Sequence, residues 1–136
     1  MKLLTDELRH KLLRNGRLHA RFAEEGQAEP DFVPVVKFFT PDSGCTWILT
    51  ELDPEEPDIG FGLCDLGMGF PELGTLRISE LESVRGPLGL PIERDRHFAP
   101  VHTLSVYAEA ARHAGAITEA PAALRLAAGR LKGGAS

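Results

Sequence analysis

The sequence is poor in the residues and segments that mark several common protein classes. Its only cysteines are Cys45 and Cys64, too few for a disulfide framework, and we expect both to be free thiols. No apolar run approaches the roughly 20 residues that a membrane-spanning helix needs. Charged residues within the opening MKLLTDELRHKLL interrupt any signal-peptide core. These absences favour a cytoplasmic protein that does not engage a membrane.

Sequence motifs for metals, cofactors and phosphates are also missing. None of the five histidines forms a His-x-x-x-His pair, and neither cysteine has a histidine at zinc-ligand spacing. The glycine-rich segment GLCDLGMGFPELG does not match a phosphate-binding loop, because no Gly-x-Gly-x-x-Gly motif precedes a helical pattern. We therefore expect no metal ion and no cofactor, and we assign no catalytic residue. Enzymatic activity stays open, but the pattern favours a protein without one.

The chain does contain enough apolar residues for the core of one domain. Of its 136 residues, 43% are hydrophobic and 26% are charged, which is typical of a globular domain of this length. The charges are unevenly distributed. Residues 1–21 carry six basic and two acidic groups, residues 22–99 carry five and sixteen, and residues 100–136 carry four and two. The acidic middle segment either attracts the basic ends or presents a surface to a basic partner.

Helical periodicity marks both ends of the chain. Leucines spaced four residues apart predict an N-terminal helical region over residues 3–25. The pair Asn15-Gly16 is typical of a helix end, so we predict a stop there and a second short helix from Leu18 to Glu25. Near the other end, helical periodicity returns and predicts C-terminal helices over residues 103–131 that pack on the rest of the domain.

A β-sheet is predicted between these helical ends, over residues 33–98. The segment KFFTPDSGCTWILTELDP at residues 37–54 predicts a hairpin in which TPDSG forms the turn. Further alternating segments predict an antiparallel meander of four to five strands, and the charged segment from Leu90 to Phe98 is typical of an edge strand. Ser79 and Glu82 match a capping box that opens one helical turn. The prediction is a single α+β domain over residues 1–136.

The far end of the hairpin carries a dense group of carboxylates. Its acidic residues are Glu51, Asp53, Glu55, Glu56 and Asp58. The ligand spacing and central glycine of a calcium-binding EF-hand loop are missing, so we interpret the segment as a solvated loop. It can also contribute to a partner surface. In the most specific version, its carboxylates imitate nucleic-acid phosphates for a basic host protein.

Two further sets of residues suggest other kinds of site. A small-ligand cleft requires the fold to bring together Lys37, Trp47, Arg85 and Arg94. Lys37 is also explained by an ammonium group that extends to the sheet edge. Nucleic-acid binding would use the basic N-terminal residues Arg14, Arg17 and Arg21, although no aromatic residues alternate with them as a base-stacking surface requires.

Three segments of the chain resemble a known bacterial family. They are KFFTPDSGCTW at residues 37–47, FGLCDLG at 61–67 and ELGTLRISELESVRGPLGLPIERD at 72–95. Together with the opening MKLLTDEL, these segments are similar to the family called domain of unknown function 2958. Cys45 departs from the pattern, because the family tends to have an aromatic residue beside the turn glycine.

The resemblance implies a biological setting rather than a reaction. The family has no established activity, and its members resemble accessory proteins of plasmids, phages and integrated elements, some of them encoded near antirestriction-type genes. We therefore expect a non-enzymatic accessory protein of a mobile element that acts on a host or defence protein through its acidic surface. The alternatives are nucleic-acid binding through the basic helices, and a small-ligand binder or enzyme with a cleft around Lys37 and Arg85.

Overall fold

A single long helix forms the N-terminal part of the fold. In the computed structural model, which describes residues 2–134, this helix, α1, spans Asp6–Glu24. The predicted stop at Asn15-Gly16, with a separate short helix from Leu18 to Glu25, is wrong, because α1 continues through both residues. The N-terminal region is therefore one rigid element.

The local sequence explains where α1 begins and which side it buries. The Thr5 hydroxyl caps the N-terminus by accepting a hydrogen bond from the Leu8 amide at 3.2 Å. Two acidic residues in the first turn complement the helix dipole. Leu8 and Leu12, four residues apart, pack in the core under the helix. The predicted leucine stripe therefore forms the buried side of α1.

Five antiparallel strands form one sheet in the order β4-β3-β2-β1-β5. Their bounds are β1 Val36–Phe39, β2 Thr46–Leu52, β3 Ile59–Asp65, β4 Glu72–Arg77 and β5 Glu93–Arg94. The first four follow one another as the predicted meander. The fifth returns to the opposite side of the sheet and pairs with β1, so β4 and β5 are the two edges.

The last strand is much shorter than predicted. The segment from Leu90 to Phe98 was expected to be extended, but only Glu93 and Arg94 join the sheet as a strand, and Pro91 makes an isolated bridge with Arg85. The chain turns directly afterwards, because the Asp95 carboxylate accepts a hydrogen bond from the His97 amide at 2.8 Å. The expected edge position of this segment agrees with the sheet order.

Asn15 and Gly16 lie where α1 approaches β2 most closely. The Asn15 side-chain amide donates to the Thr50 carbonyl at 2.9 Å, beside an irregularity in the β2–β3 pairing. A Cβ atom on Gly16 would lie 1.9 Å from the Leu52 carbonyl oxygen, so only glycine fits at this position. The sequence pair that resembles a helix stop therefore serves as a helix-to-sheet contact.

A short helix, α2, spans Ile78–Ser83 directly after β4. The predicted capping box is wrong, because α2 begins at Ile78 and its N-cap is Arg77, whose side chain makes no capping hydrogen bond. Asp58 takes over the capping function from the distant β2–β3 loop. Its carboxylate accepts hydrogen bonds from the Ser79 amide at 2.9 Å and the Ser79 hydroxyl at 2.6 Å. Glu82 accepts instead from the Leu3 amide at 2.9 Å.

Two C-terminal helices cover the other side of the sheet, as predicted for residues 103–131. They are α3, Leu104–Ala114, and α4, Pro121–Gly134. Helix α3 ends at Gly115, which adopts φ 77° as a left-handed cap.

The sheet has an apolar core on each face. One core packs α1 residues such as Leu12 against Phe38 and Trp47. The other packs α3 and α4 residues such as Tyr107 against Ile48. The result is a three-layer α+β domain of α1, sheet and α3–α4, and its uncovered surfaces are the edges and loop ends of the sheet.

Candidate functional site

The carboxylates of the β2–β3 loop are largely engaged within the protein. Glu51 is half-buried, and its two oxygens lie 2.9 and 3.1 Å from Nδ1 of His19. Burial raises the pKa of Glu51, and the contact with His19 opposes that rise. The side chain of Asp53 accepts from the Glu55 amide at 2.9 Å, which closes the loop.

Two of the three remaining carboxylates of this loop are paired with a single arginine. Arg77 lies 3.1 Å from Glu56 and 3.6 Å from Asp58. Hydrogen bonds from Ser79 lower the pKa of Asp58, and the charge of Arg77 lowers it further. Within residues 2–134, Glu55 is the member of the predicted acidic set whose carboxylate has no partner. The loop therefore still carries more carboxylates than cations, but part of its negative charge is offset by His19 and Arg77.

Lys37 joins three parts of the chain instead of facing a cleft. Its ammonium nitrogen lies 2.6 Å from Glu119 in the α3–α4 connection and 3.4 Å from Asp95 after β5. Burial alone lowers the pKa of Lys37, but the hydrogen bonds and charges of the two carboxylates outweigh it and the pKa is raised. On the α3–α4 face of the sheet, Lys37 therefore links β1 by ion pairs to the α3–α4 connection and to the segment after β5.

The other residues of the predicted ligand cleft do not converge with Lys37. Trp47 is buried in the core on the opposite face of the sheet. Arg85 donates to the carbonyls of Glu82 and Val84, the residues just before it. Arg94 donates to the Leu3 carbonyl at 2.7 Å and lines a surface cavity of about 540 Å³ beside β5, the only one of the four predicted residues to do so.

The predicted nucleic-acid-binding arginines are exposed to solvent. Arg14, Arg17 and Arg21 are exposed on α1, and within residues 2–134 none makes an ion pair or a side-chain hydrogen bond. The arginines therefore do not neutralise the acidic loop, which is paired with His19 and Arg77 instead.

Sequence reasoning missed an apolar surface at one end of the sheet. We call this the apolar turn surface, and it consists of Leu66, Met68, Phe70, Leu88 and Leu90, all exposed. The first three lie in the β3–β4 loop and the last two in the connection before β5. Both segments contact the β1–β2 turn, since Gly67 packs on Gly44 and the Asp42 carboxylate accepts from the amides of Leu88 and Leu90. The available signal was three large apolar residues within a glycine-rich loop, LGMGF.

A buried carboxylate holds the β3–β4 loop in place. Asp65 is 3% exposed, and its two oxygens accept hydrogen bonds from the Gly67 amide at 2.9 Å and the Ile117 amide at 3.0 Å. Gly67 and Gly69 adopt φ 77° and φ 86°, which residues with side chains rarely adopt. The loop is therefore preorganised with its apolar side chains outward.

The β3–β4 loop part of the apolar turn surface leads directly into a free edge of the sheet. Strand β4 pairs only with β3 and has no strand on its other side within the described residues. Leu73 in this strand is exposed, and the charges of β4 are confined to its ends, Glu72 and Arg77. Natural sheets usually protect such edges with inward charges, prolines or bulges. An uncovered edge beside an apolar loop is therefore an unusual feature for this small domain.

The described part of the chain contains no group of three or more metal-ligating side chains. None of the helices in residues 2–134 is long and apolar enough to cross a membrane. Both cysteines are free thiols and half-buried, and burial raises the pKa of Cys64.

The fold and these surfaces define a small α+β domain with a five-stranded antiparallel sheet. The family described as "Protein of unknown function (DUF2958)" matches residues 3–118, and the chain belongs to this family. This confirms the resemblance found in the sequence segments above. No curated protein and no solved structure matches the chain.

Proposed function

We propose that this protein is a non-enzymatic interaction protein that binds a partner protein at the apolar turn surface and the adjoining β4 edge. The observation that carries the proposal is that the exposed residues Leu66, Met68 and Phe70 are followed directly in the chain by the edge strand β4, whose outer side is unpaired within the described residues. An extended segment of the partner would add to β4 through main-chain hydrogen bonds, while its apolar side chains contact the loop. Large exposed apolar side chains on a preorganised loop are typical anchors of such contacts.

The biological setting of the proposal comes from the family resemblance. We place the protein in the cytoplasm, as an accessory protein of a plasmid, phage or integrated element, with a host or defence protein as its partner. The version in which carboxylates imitate nucleic-acid phosphates has weaker support, because Glu51, Glu56 and Asp58 are each offset by a basic or hydrogen-bonding neighbour. Burying the apolar turn surface against a partner would release more water from apolar side chains than burying the acidic loop would, and this release favours binding.

The test compares two double variants with matched exposure. The first removes the apolar turn surface through Met68→Ser and Phe70→Ser, which are 71% and 82% exposed. The control carries Val101→Ser and Leu126→Ser, which are 77% and 66% exposed and lie outside this surface. A host protein captured by the tagged wild type is identified, purified and titrated against each variant. The first variant should raise the dissociation constant about thirtyfold, as expected for the loss of a hot-spot aromatic residue. The control variant should leave the dissociation constant unchanged.

Two results would contradict the proposal. Equal affinity of the wild type and the Met68→Ser, Phe70→Ser variant would place the contact elsewhere. Concentration-dependent dimerisation in light scattering that the same variant abolishes would make a second copy the occupant of this surface. A Leu73→Lys variant in the same titration tests the edge strand separately, since a charge directed along β4 opposes strand addition.

A further inference from the structure

The outer side of α1 carries a line of basic residues that the fold does not use. We call this line the α1 basic ridge, and its members are His10, Arg14, Arg17 and Arg21. Their spacings of four, three and four residues place all of them on one face of a continuous helix. The continuity of α1 is essential here, because a break at Asn15-Gly16 would have separated Arg14 from Arg17.

In the part of the chain that the structure describes, the guanidinium groups of the ridge have no internal partner, whereas several other cations do. Within residues 2–134, Arg77, Arg112 and Arg130 are each in an ion pair with a carboxylate, and so is Lys37. The ridge arginines make no such contact, although the chain has an excess of acidic residues. Their positive charge is available to an external anion.

The geometry of the ridge matches a repeating anion rather than a single one. Arg14 and Arg21 are seven residues apart, which separates them by about 10 Å along the helix axis. One strand of a nucleic-acid duplex presents a phosphate about every 3.4 Å along its axis, so this span corresponds to about three phosphate steps. Asn15 and Gly16 hold α1 against β2, so the three arginines are displayed on a fixed support.

We infer that the α1 basic ridge binds the phosphate backbone of a nucleic-acid duplex. The ridge itself carries no Phe, Tyr or Trp, since the one such residue of α1, the half-buried Phe22, lies on a different face of the helix, and single-stranded nucleic acids are typically held by aromatic stacking. An anionic membrane is also a poor match, because an interfacial helix inserts an apolar side and the apolar side of α1 is buried against the sheet. The inference is independent of the proposed protein contact, since the two surfaces share no residue.

The experiment measures the anisotropy of a labelled DNA duplex of about 20 base pairs and arbitrary sequence, titrated with the full chain between about 50 and 200 mM salt. Three neutralised phosphates predict a slope of log affinity against log salt of about −2.7. The triple variant Arg14→Gln, Arg17→Gln, Arg21→Gln should bind at least about tenfold more weakly at the lowest salt and should lose most of the slope. An RNA duplex should bind comparably, since the contact is to phosphate.

The control removes the same number of positive charges elsewhere. Its substitutions are Arg96→Gln, Arg125→Gln and Lys132→Gln, all at exposed residues outside α1. This variant should keep the wild-type affinity and slope, and both triple variants should keep the wild-type melting temperature. The inference is overturned if no duplex binds at the lowest salt, or if the control loses affinity as much as the ridge variant. It is also overturned if single strands or anionic vesicles bind more tightly than the duplex.

Discussion

Gly16 and Asn15 set how closely α1 approaches β2. Glycine is costly within a helix, but here the missing side chain allows the backbones to touch. Asn15 then satisfies the Thr50 carbonyl at the same contact. Two residues that are poor helix formers on their own are therefore well suited to this position in the fold.

Replacing Gly16 with alanine should destabilise the protein. The added methyl group would overlap the Leu52 carbonyl, so α1 must shift, and we expect a loss of about 1–3 kcal/mol in the free energy of unfolding. The control is Gly129→Ala on α4, where a Cβ atom meets no atom within 4 Å. That substitution should stabilise the protein by about 0.5–1 kcal/mol through helix propensity. Urea unfolding of both variants measures the difference, and equal effects would contradict the close contact.

At the scale of secondary-structure elements, α3 and α4 are joined by one carboxylate. Glu109 on α3 lies 2.7 Å from Arg112 on the same helix and 2.8 Å from Arg130 on α4. Hydrogen bonds from Arg130 and Arg112 lower the pKa of Glu109 to about 2. The Glu109 carboxylate therefore stays charged in the folded protein well below pH 4.5, the reference pKa of a glutamate.

This arrangement predicts how the pairing of α3 and α4 responds to acid. Because the folded pKa of Glu109 is about 2 and the reference value is 4.5, its contribution to stability is complete above about pH 4.5. The contribution shrinks as the pH falls from there towards 2. Unfolding measured against pH should show the wild type more stable than Glu109→Gln at neutral pH, with the gap closing in that range. The control Glu80→Gln, at an exposed residue of α2, should show no such convergence.

The sequence predicted the type of each helix and strand better than it predicted the contacts between them. Alternating apolar residues identified the strands β1 to β4, and helical periodicity identified α1, α3 and α4, because these patterns depend on burial alone. The helix stop at Asn15-Gly16 failed because its tertiary partners, Thr50 and Leu52, are far away in the chain. The capping box failed for the same reason, since Asp58 competes for Ser79.

The candidate surfaces were predicted less well than the fold. The arginines of α1 were identified by type, but their common face depends on the helix being unbroken. The apolar turn surface was not predicted, because a large apolar residue in a loop is equally compatible with burial under a neighbouring segment. The acidic loop was identified, but its pairing with His19 and Arg77 joins residues that are distant in sequence.

At the scale of the whole molecule, the two proposed contacts occupy separate surfaces. The apolar turn surface lies on the loops at one end of the sheet, and the α1 basic ridge lies on the solvent side of the N-terminal helix. We therefore expect the two activities to be separable. The Met68→Ser, Phe70→Ser variant should bind duplex DNA with wild-type affinity, and the ridge variant should bind the partner protein with wild-type affinity. Loss of both contacts in either variant, with the melting temperature unchanged, would contradict two independent surfaces.

The hydrogen bonds of Asp65 also connect the β3–β4 loop to a part of the chain that is synthesised much later. One of its oxygens is satisfied within the β3–β4 loop, but the other requires the Ile117 amide, which is translated 52 residues later. A nascent chain that ends before residue 117 has a complete β3–β4 loop sequence but lacks this second contact. The β3–β4 loop therefore gains the second of these two hydrogen bonds only after α3 and residue 117 have been made.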